Sequence, residues 1–119
     1  MVALESKNEY TIAWIAALAI ERAAATALLD DRHDKPLDFI QHSNDNNAYT
    51  WGRVHNHNTV IASLPEGSHE TANAACVAGE LATSLPHIKI GLLVGIGAGI
   101  PESGCDIRLG DVAVSRPGQ

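Results

Sequence analysis

The stretch Leu92-Leu93-Val94-Gly95-Ile96-Gly97-Ala98-Gly99-Ile100-Pro101 decides the fold. An apolar run enters three alternating glycines and is halted by proline. The run reads as a buried strand, and the glycines as a loop whose backbone can approach another group closely. In open α/β sheets such a loop, at the carboxyl end of a parallel strand, is where ligands usually bind. Leu109-Gly110-Asp111-Val112-Ala113-Val114-Ser115 then gives a second turn followed by a strand. Asp111 reads as a structural residue, capping backbone amides in that turn.

Upstream, Tyr10 to Ala17 (YTIAWIAA) is rich in β-branched and aromatic residues and reads as a strand buried on both faces. Ile20 to Leu29 follows as a short helix, with Ile20, Ala24, Ala27 and Leu28 as its apolar stripe. Asp30 to Asn47 reads as a loop, carrying Pro36 and a Ser43–Asn47 polar cluster. Tyr49 to Val54 and Thr59 to Leu64 form a hairpin around His55-Asn56-His57-Asn58. A second helix runs from an N-cap at Ser68 to about Ser84, with Ala74, Ala75, Ala78, Leu81 and Leu85 as its inner face. Lys89 to Val94 and Val112 to Ser115 complete the strands. This order predicts an α/β fold, a three-layer α/β/α sandwich with a mostly parallel sheet. Residues 1–9 read as a polar lead-in, and residues 10–119 as the amino-terminal portion of a larger domain. The last strand, with no covering helix after it, makes the architecture look incomplete.

Composition narrows the function. With 119 residues and 45% hydrophobic content, the chain fits one small globular domain. A formal charge of −6 with scattered Lys and Arg argues against a nucleic-acid groove, and 4% aromatic content against a base-stacking platform. The apolar run Thr11–Ile20 lacks a basic leader and is shorter than the roughly 20 residues a membrane span needs, so no membrane partner is expected. A cytoplasmic protein is the resulting expectation. Cys76 and Cys105 read as reduced packing thiols. His55 and His57 read as solvated turn residues, because no partner set for a metal is legible; no metal and no cofactor are expected.

The glycine loop departs from the dinucleotide fingerprint, since Ile100 stands where its third glycine belongs and Pro101 where its helix should run. Nicotinamide binding is therefore not expected. A ligand loop and a ligand-free glycine turn both remain open. Glu21 begins a helix just beyond the first strand. It reads either as a carboxylate aligned with the helix dipole or as an acid facing the same cleft as the glycine loop.

Taken together, residues 10–21, Val60-Ile61-Ala62-Ser63-Leu64-Pro65-Glu66-Gly67, Val94–Pro101 and Arg108-Leu109-Gly110-Asp111-Val112 stand in an order that resembles the amino-terminal half of the purine and uridine phosphorylase superfamily. The likeness is greatest to the version at the front of fungal NLR-type and ankyrin-repeat proteins, and it spans about residues 10 to 117. The resemblance implies a phosphorylase/hydrolase-like fold and cleavage of a nucleoside's N-glycosidic bond, by phosphate in phosphorylases and by water in nucleosidases. Glu21 matches the nucleosidase glutamate that positions the water. Gly95, Ile96, Gly97, Ala98 and Gly99 match the segment against ribose and base, and Gly67 matches a glycine in the turn before the second helix.

Phosphorylases carry an arginine and a hydroxyl residue where this chain has Leu93 and Ile96, and Glu70 stands where an anion would be repelled, so a nucleosidase is favoured over a phosphorylase. The implied partner is a nucleoside, a purine before a pyrimidine, and the superfamily's habit implies a homo-oligomer. The family's Met-Glu pair and its aspartate acid find no match in these 119 residues. The expectation is therefore that this chain alone is inactive. The alternative is a non-catalytic amino-terminal effector or signalling module of a fungal NLR-type protein.

Overall fold

A computed structural model describes residues 1–16, 18–65, 74–95, 112 and 114. Six strands form one sheet: β1 (Val2–Ala3), β2 (Ile12–Ile15), β3 (Asp31–Asp34), β4 (Ala48–Val54), β5 (His57–Ser63) and β6 (Ile90–Leu93). Two α-helices, α1 (Ala19–Ala27) and α2 (Ala74–Ser84), accompany them. The spatial order of the strands is β1-β3-β4-β5-β2-β6.

The sheet is mixed: β1, β3, β5, β2 and β6 run the same way, as a mostly parallel sheet requires, and β4 runs against them. β2 lies between β5 and β6 and runs parallel to both, whereas β4 is antiparallel to β3 and β5. The expected hairpin is what reverses β4, and the segment taken for a loop adds a strand: its Asp31-Arg32-His33-Asp34 portion becomes β3. That tetrapeptide has no apolar alternation of its own. It is recruited by β4, whose Arg53 sits directly opposite Asp31 and pairs with it at 2.6 Å. Val2 and Ala3, within the polar lead-in, then add a parallel strand to β3. Strands can thus form where the neighbour, rather than the local pattern, supplies the incentive.

β4 and β5 make the expected hairpin, with complete register from Ala48↔Ser63 to Val54↔His57. Its turn places His55 at φ 55°, a region that disfavours a side chain. The Asp30 carboxylate holds this conformation by accepting the His55 N–H at 2.6 Å. His55 and His57 are both exposed.

Alternation along β2 feeds two separate clusters. Ala13 and Ile15 join Val60, Ala62, Trp51 and the α2 residues Val77 and Leu81. Ala16 and Ile61 meet Ala25 of α1, with Trp14 and Leu29 packed alongside. Successive side chains of a strand point to opposite faces, so one helix serves each cluster.

Helix α1 is rotated from its predicted stripe, whereas α2 keeps Ala78, Leu81 and Leu85 against the core as expected and adds Val77. In α2, Val77, Leu81 and Leu85 are buried while Ala75 and Cys76 are exposed. The large aliphatic side chains claim the inner face because burying each is worth about 1.5–3 kcal/mol, well above what an alanine offers. Cys76 is therefore not the packing residue the sequence suggested. In α1, Ile20 and Leu28 are 66% and 62% exposed, and the inward row is Glu21 and Ala25. The expected strand over Val112–Ser115 is absent at Val112 and Val114, which are exposed and unpaired in the sheet. Among the described residues no helix is long and apolar enough to cross a membrane.

Candidate functional site

Because β2, β5 and β6 are parallel, their carboxyl ends reach one edge of the sheet, where Ala16, Leu64 and Val94 leave it. Backbone bonds fasten these exits together: the Ala16 N–H donates to Ala62 O at 2.9 Å and the Val94 N–H to Ile15 O at 3.3 Å. Helix α1 begins immediately after the β2 exit. Its third residue is Glu21, 9% exposed.

The Glu21 carboxylate folds back on the helix start, where Oε1 accepts the Leu18 N–H at 3.0 Å. This satisfies a donor that the helix cannot satisfy itself, and the positive end of the helix dipole favours a negative group there. This is the arrangement expected of a carboxylate aligned with the helix dipole. The other oxygen faces the loop after β6: a Cβ placed on Gly95 would stand 2.9 Å from Oε2 and 3.7 Å from Cδ. Gly95 thus sits beside the carboxylate, and a side chain there would push the carboxylate aside.

Arg22 occupies the other flank. Its Nη1 donates to Ser63 Oγ at 3.2 Å, and Ser63, fully buried at the end of β5, donates to Leu64 O at 3.1 Å. β5 and β6 border β2 on opposite sides, so Glu21 and Arg22 straddle the β2 exit with opposite charges. The Arg22–Ser63 pair was not found from the sequence. Its only signal is a hydroxyl closing the apolar run Val60-Ile61-Ala62, next to no charged residue in the chain.

Gly67, Ile96, Gly97, Ala98, Gly99 and Asp111 lie outside the described residues, as do Glu70 and Cys105. Of the residues singled out from sequence, the structure therefore brings Glu21 and Gly95 together. Among the described residues no group of three or more His, Cys, Asp or Glu is arranged to hold a metal ion.

A second polar cluster, also missed, lies beneath the 36–47 segment. Asp45, 5% exposed, accepts from the Tyr49 hydroxyl, from Ser84 Oγ at 2.6 Å and from the Asn47 N–H at 2.9 Å. Burial first, and then the Asp45 carboxylate, pushes the Tyr49 hydroxyl well above its ordinary pKa. Asn47 Nδ2 donates to Val77 O at 2.8 Å, which ties the segment to α2.

Comparison with known proteins places the chain in context. No family model matches it, and no solved structure matches it. It is 45% identical over 110 residues, 92% of its length, to a protein of Hyaloscypha variabilis described as a nucleotide-binding leucine-rich repeat (NLR)-like protein. The chain spans 11% of that protein's length, so it is related to one segment of an NLR-like protein.

Proposed function

We propose that this chain is a module of an NLR-type protein, an amino-terminal effector or signalling unit of the fungal kind. The observation that carries this reading is 45% identity across 92% of the chain to a segment that makes up 11% of an NLR-like protein. Identity at that level over nearly the whole chain supports a shared fold and a shared place in a larger architecture. On this reading the module works in the cytoplasm, requires no metal or cofactor, and acts through self-association. Sequencing the transcript through codon 119 tests it: continuation into nucleotide-binding and repeat regions is expected, and an in-frame stop directly after Gln119 would overturn it.

A second reading is favoured by the apposition of Glu21 with Gly95 at the strand exits. The module then binds a nucleoside, a purine before a pyrimidine, on a three-layer phosphorylase/hydrolase-like fold, and in its complete form cleaves the N-glycosidic bond. Glu21 orients the attacking water. The loop from Gly95 through Ile96, Gly97, Ala98 and Gly99, with Gly67, lies against ribose and base, and Asp111 caps its turn. Water is preferred to phosphate because Leu93 and Ile96 stand where phosphorylases carry an arginine and a hydroxyl residue. The test is base release from adenosine and inosine by the longest form containing this chain. Release that Glu21→Gln abolishes is expected; release unchanged by Glu21→Gln, or none at all, sinks the catalytic reading and leaves the module reading standing.

A further inference from the structure

The two edges of the sheet differ in what they offer another chain. β1 is two residues long, Val2 and Ala3, and gives little backbone to pair with. On the other side, among the described residues, β6 pairs with β2 alone. The Ile90 and Val94 amides donate to Thr11 O and Ile15 O, both at 3.3 Å, so they point toward β2. By alternation, the N–H and C=O groups of Gly91 and Leu93 point outward.

This edge carries none of the usual protection. Ile90-Gly91-Leu92-Leu93-Val94 holds no charge and no proline. The register Trp14↔Leu92 and Ile15↔Leu93 sets Leu92 on the α1 side of the sheet and Leu93 on the α2 side, and both are open, at 44% and 66% exposed. A strand apolar on both faces is the pattern of a sheet interior. A Cβ on Gly91 would meet nothing within 4 Å, so a gap lies beside Leu93 on the same face.

The strand is complementary to a second copy of itself. A two-fold axis through Leu92, normal to the sheet, makes the pairing antiparallel and keeps each face continuous. Gly91 then stands opposite Leu93 of the second copy, each with its backbone groups turned toward the other, and the leucine enters the gap at the glycine. Leu92 meets Leu92, and Ile90 meets Val94. Lys89, which is exposed, comes opposite Gly95, beside which the Glu21 carboxylate lies, so opposite charges approach at both ends. Moving the axis to Gly91 would set Lys89 against Leu93 and leave the two gaps facing each other. Parallel pairing in register would set lysine beside lysine.

We propose that β6 is a homodimer interface, pairing antiparallel with β6 of a second copy about Leu92 so that one sheet runs through both. Its place in the module's action rests on the self-association proposed above, but the pairing is tested apart from it. An in-frame stop after Gln119 removes the NLR reading and not this edge; a monomer removes this edge and not the NLR relation. The strip is short beside the roughly 1,600 Å² of a standard interface, so a weak dimer with a Kd on the order of 100 μM is expected.

Sedimentation equilibrium of the 119-residue chain, from about 10 μM to about 1 mM, should show a reversible monomer–dimer equilibrium. Leu93→Lys, at an exposed position, should raise the Kd about tenfold with an unchanged urea midpoint, whereas Val2→Lys at the β1 edge should change it less than about twofold. In a chain carrying Cys76→Ser and Cys105→Ser, Leu92→Cys should cross-link to its own kind under mild oxidation. Lys89→Cys should not, because antiparallel pairing holds the two positions 89 at opposite ends of the strip. A monomer throughout, a dimer insensitive to Leu93→Lys, or cross-linking at Lys89→Cys in place of Leu92→Cys would overturn the proposal.

Discussion

Glu21 and Asp45 are the two carboxylates withdrawn from solvent among the described residues, 9% and 5% exposed, and they are held in opposite ways. Asp45 is approached by donors from three elements: the Asn47 N–H, the Tyr49 hydroxyl of β4 and the Ser84 hydroxyl of α2. Glu21 has one oxygen on the Leu18 N–H at the start of its own helix, and the other against the backbone of Gly95. A carboxylate encircled by donors from separate elements joins those elements. A carboxylate on a helix start, beside a glycine at the edge of a sheet, caps its own helix next to the strand exits.

The comparison breaks most readily at Asp45. Asp45→Ala strands a buried hydroxyl on Tyr49, another on Ser84 and an amide on Asn47, each costing about 1–3 kcal/mol when left without an acceptor. Some of these groups find other partners, so a loss of about 3 kcal/mol is expected in urea unfolding of the whole chain. A loss below about 1 kcal/mol would show that the network does not join the 36–47 segment to α2.

Glu21→Gln is the matching experiment on the other side. The amide oxygen can still accept the Leu18 N–H, and removing a buried charge relieves its desolvation. Stability is expected to change by less than about 1 kcal/mol in the same urea measurement. A cost equal to that of Asp45→Ala would make Glu21 a structural acid and erase the distinction.

Gly95→Ala sharpens the contrast with a smaller effect still. The new Cβ would come within 2.9 Å of Oε2, which is the far end of a flexible side chain, so the carboxylate moves and the backbone stays. A stability change of a few tenths of a kcal/mol is expected, because the clash can be relieved by a rotamer change. The informative signal is the Leu18 amide resonance, which should shift as its acceptor is displaced. An unmoved Leu18 amide would mean that Glu21 and Gly95 are not in contact.

How much of this was legible depended on whether a residue's neighbours lay close in sequence. The β4–β5 hairpin and the β2 and β6 strands announce themselves as apolar runs with turn residues between them, although β6, expected to be buried, is exposed along its length. β3 does not, since Asp31-Arg32-His33-Asp34 is a strand only by virtue of β4. Helix existence was clear from spacing, but the rotation of α1 was not. Ile20 and Leu28 looked like the inner stripe of α1, yet the small Ala25 fits against Ile61 and Ala16, and the row one residue on carries Glu21 inward. The candidate acid was visible as a residue; its orientation depends on that rotation. Asp45 and Asn47 sat in a polar cluster that reads as loop, and only packing beneath α2 turns them into a buried network.

Asp38 supplies the smallest effect and a third kind of carboxylate, fully exposed and held by the amino-terminal segment. Its Oδ1 accepts the Lys7 N–H at 2.7 Å and its Oδ2 the Ser6 hydroxyl at 3.0 Å. The Lys7 amide, the largest influence, lowers its pKa from the ordinary 3.8; desolvation, the next largest, opposes it, and the Ser6 hydroxyl and the Lys7 charge add to the lowering. With the folded value below the unfolded one, the stabilisation is present above the unfolded pKa and disappears as pH falls through the folded pKa. The Lys7 amide resonance should therefore hold steady from neutral pH down to the ordinary carboxylate range and shift only below it. Asp38→Asn should remove that acid shift while leaving the Leu18 amide, which reports on Glu21, unchanged. Movement of both amides together would mean that the amino-terminal segment and the β2 exit titrate as one unit, and that the two sides of the sheet are less independent than their separate hydrogen-bond networks imply.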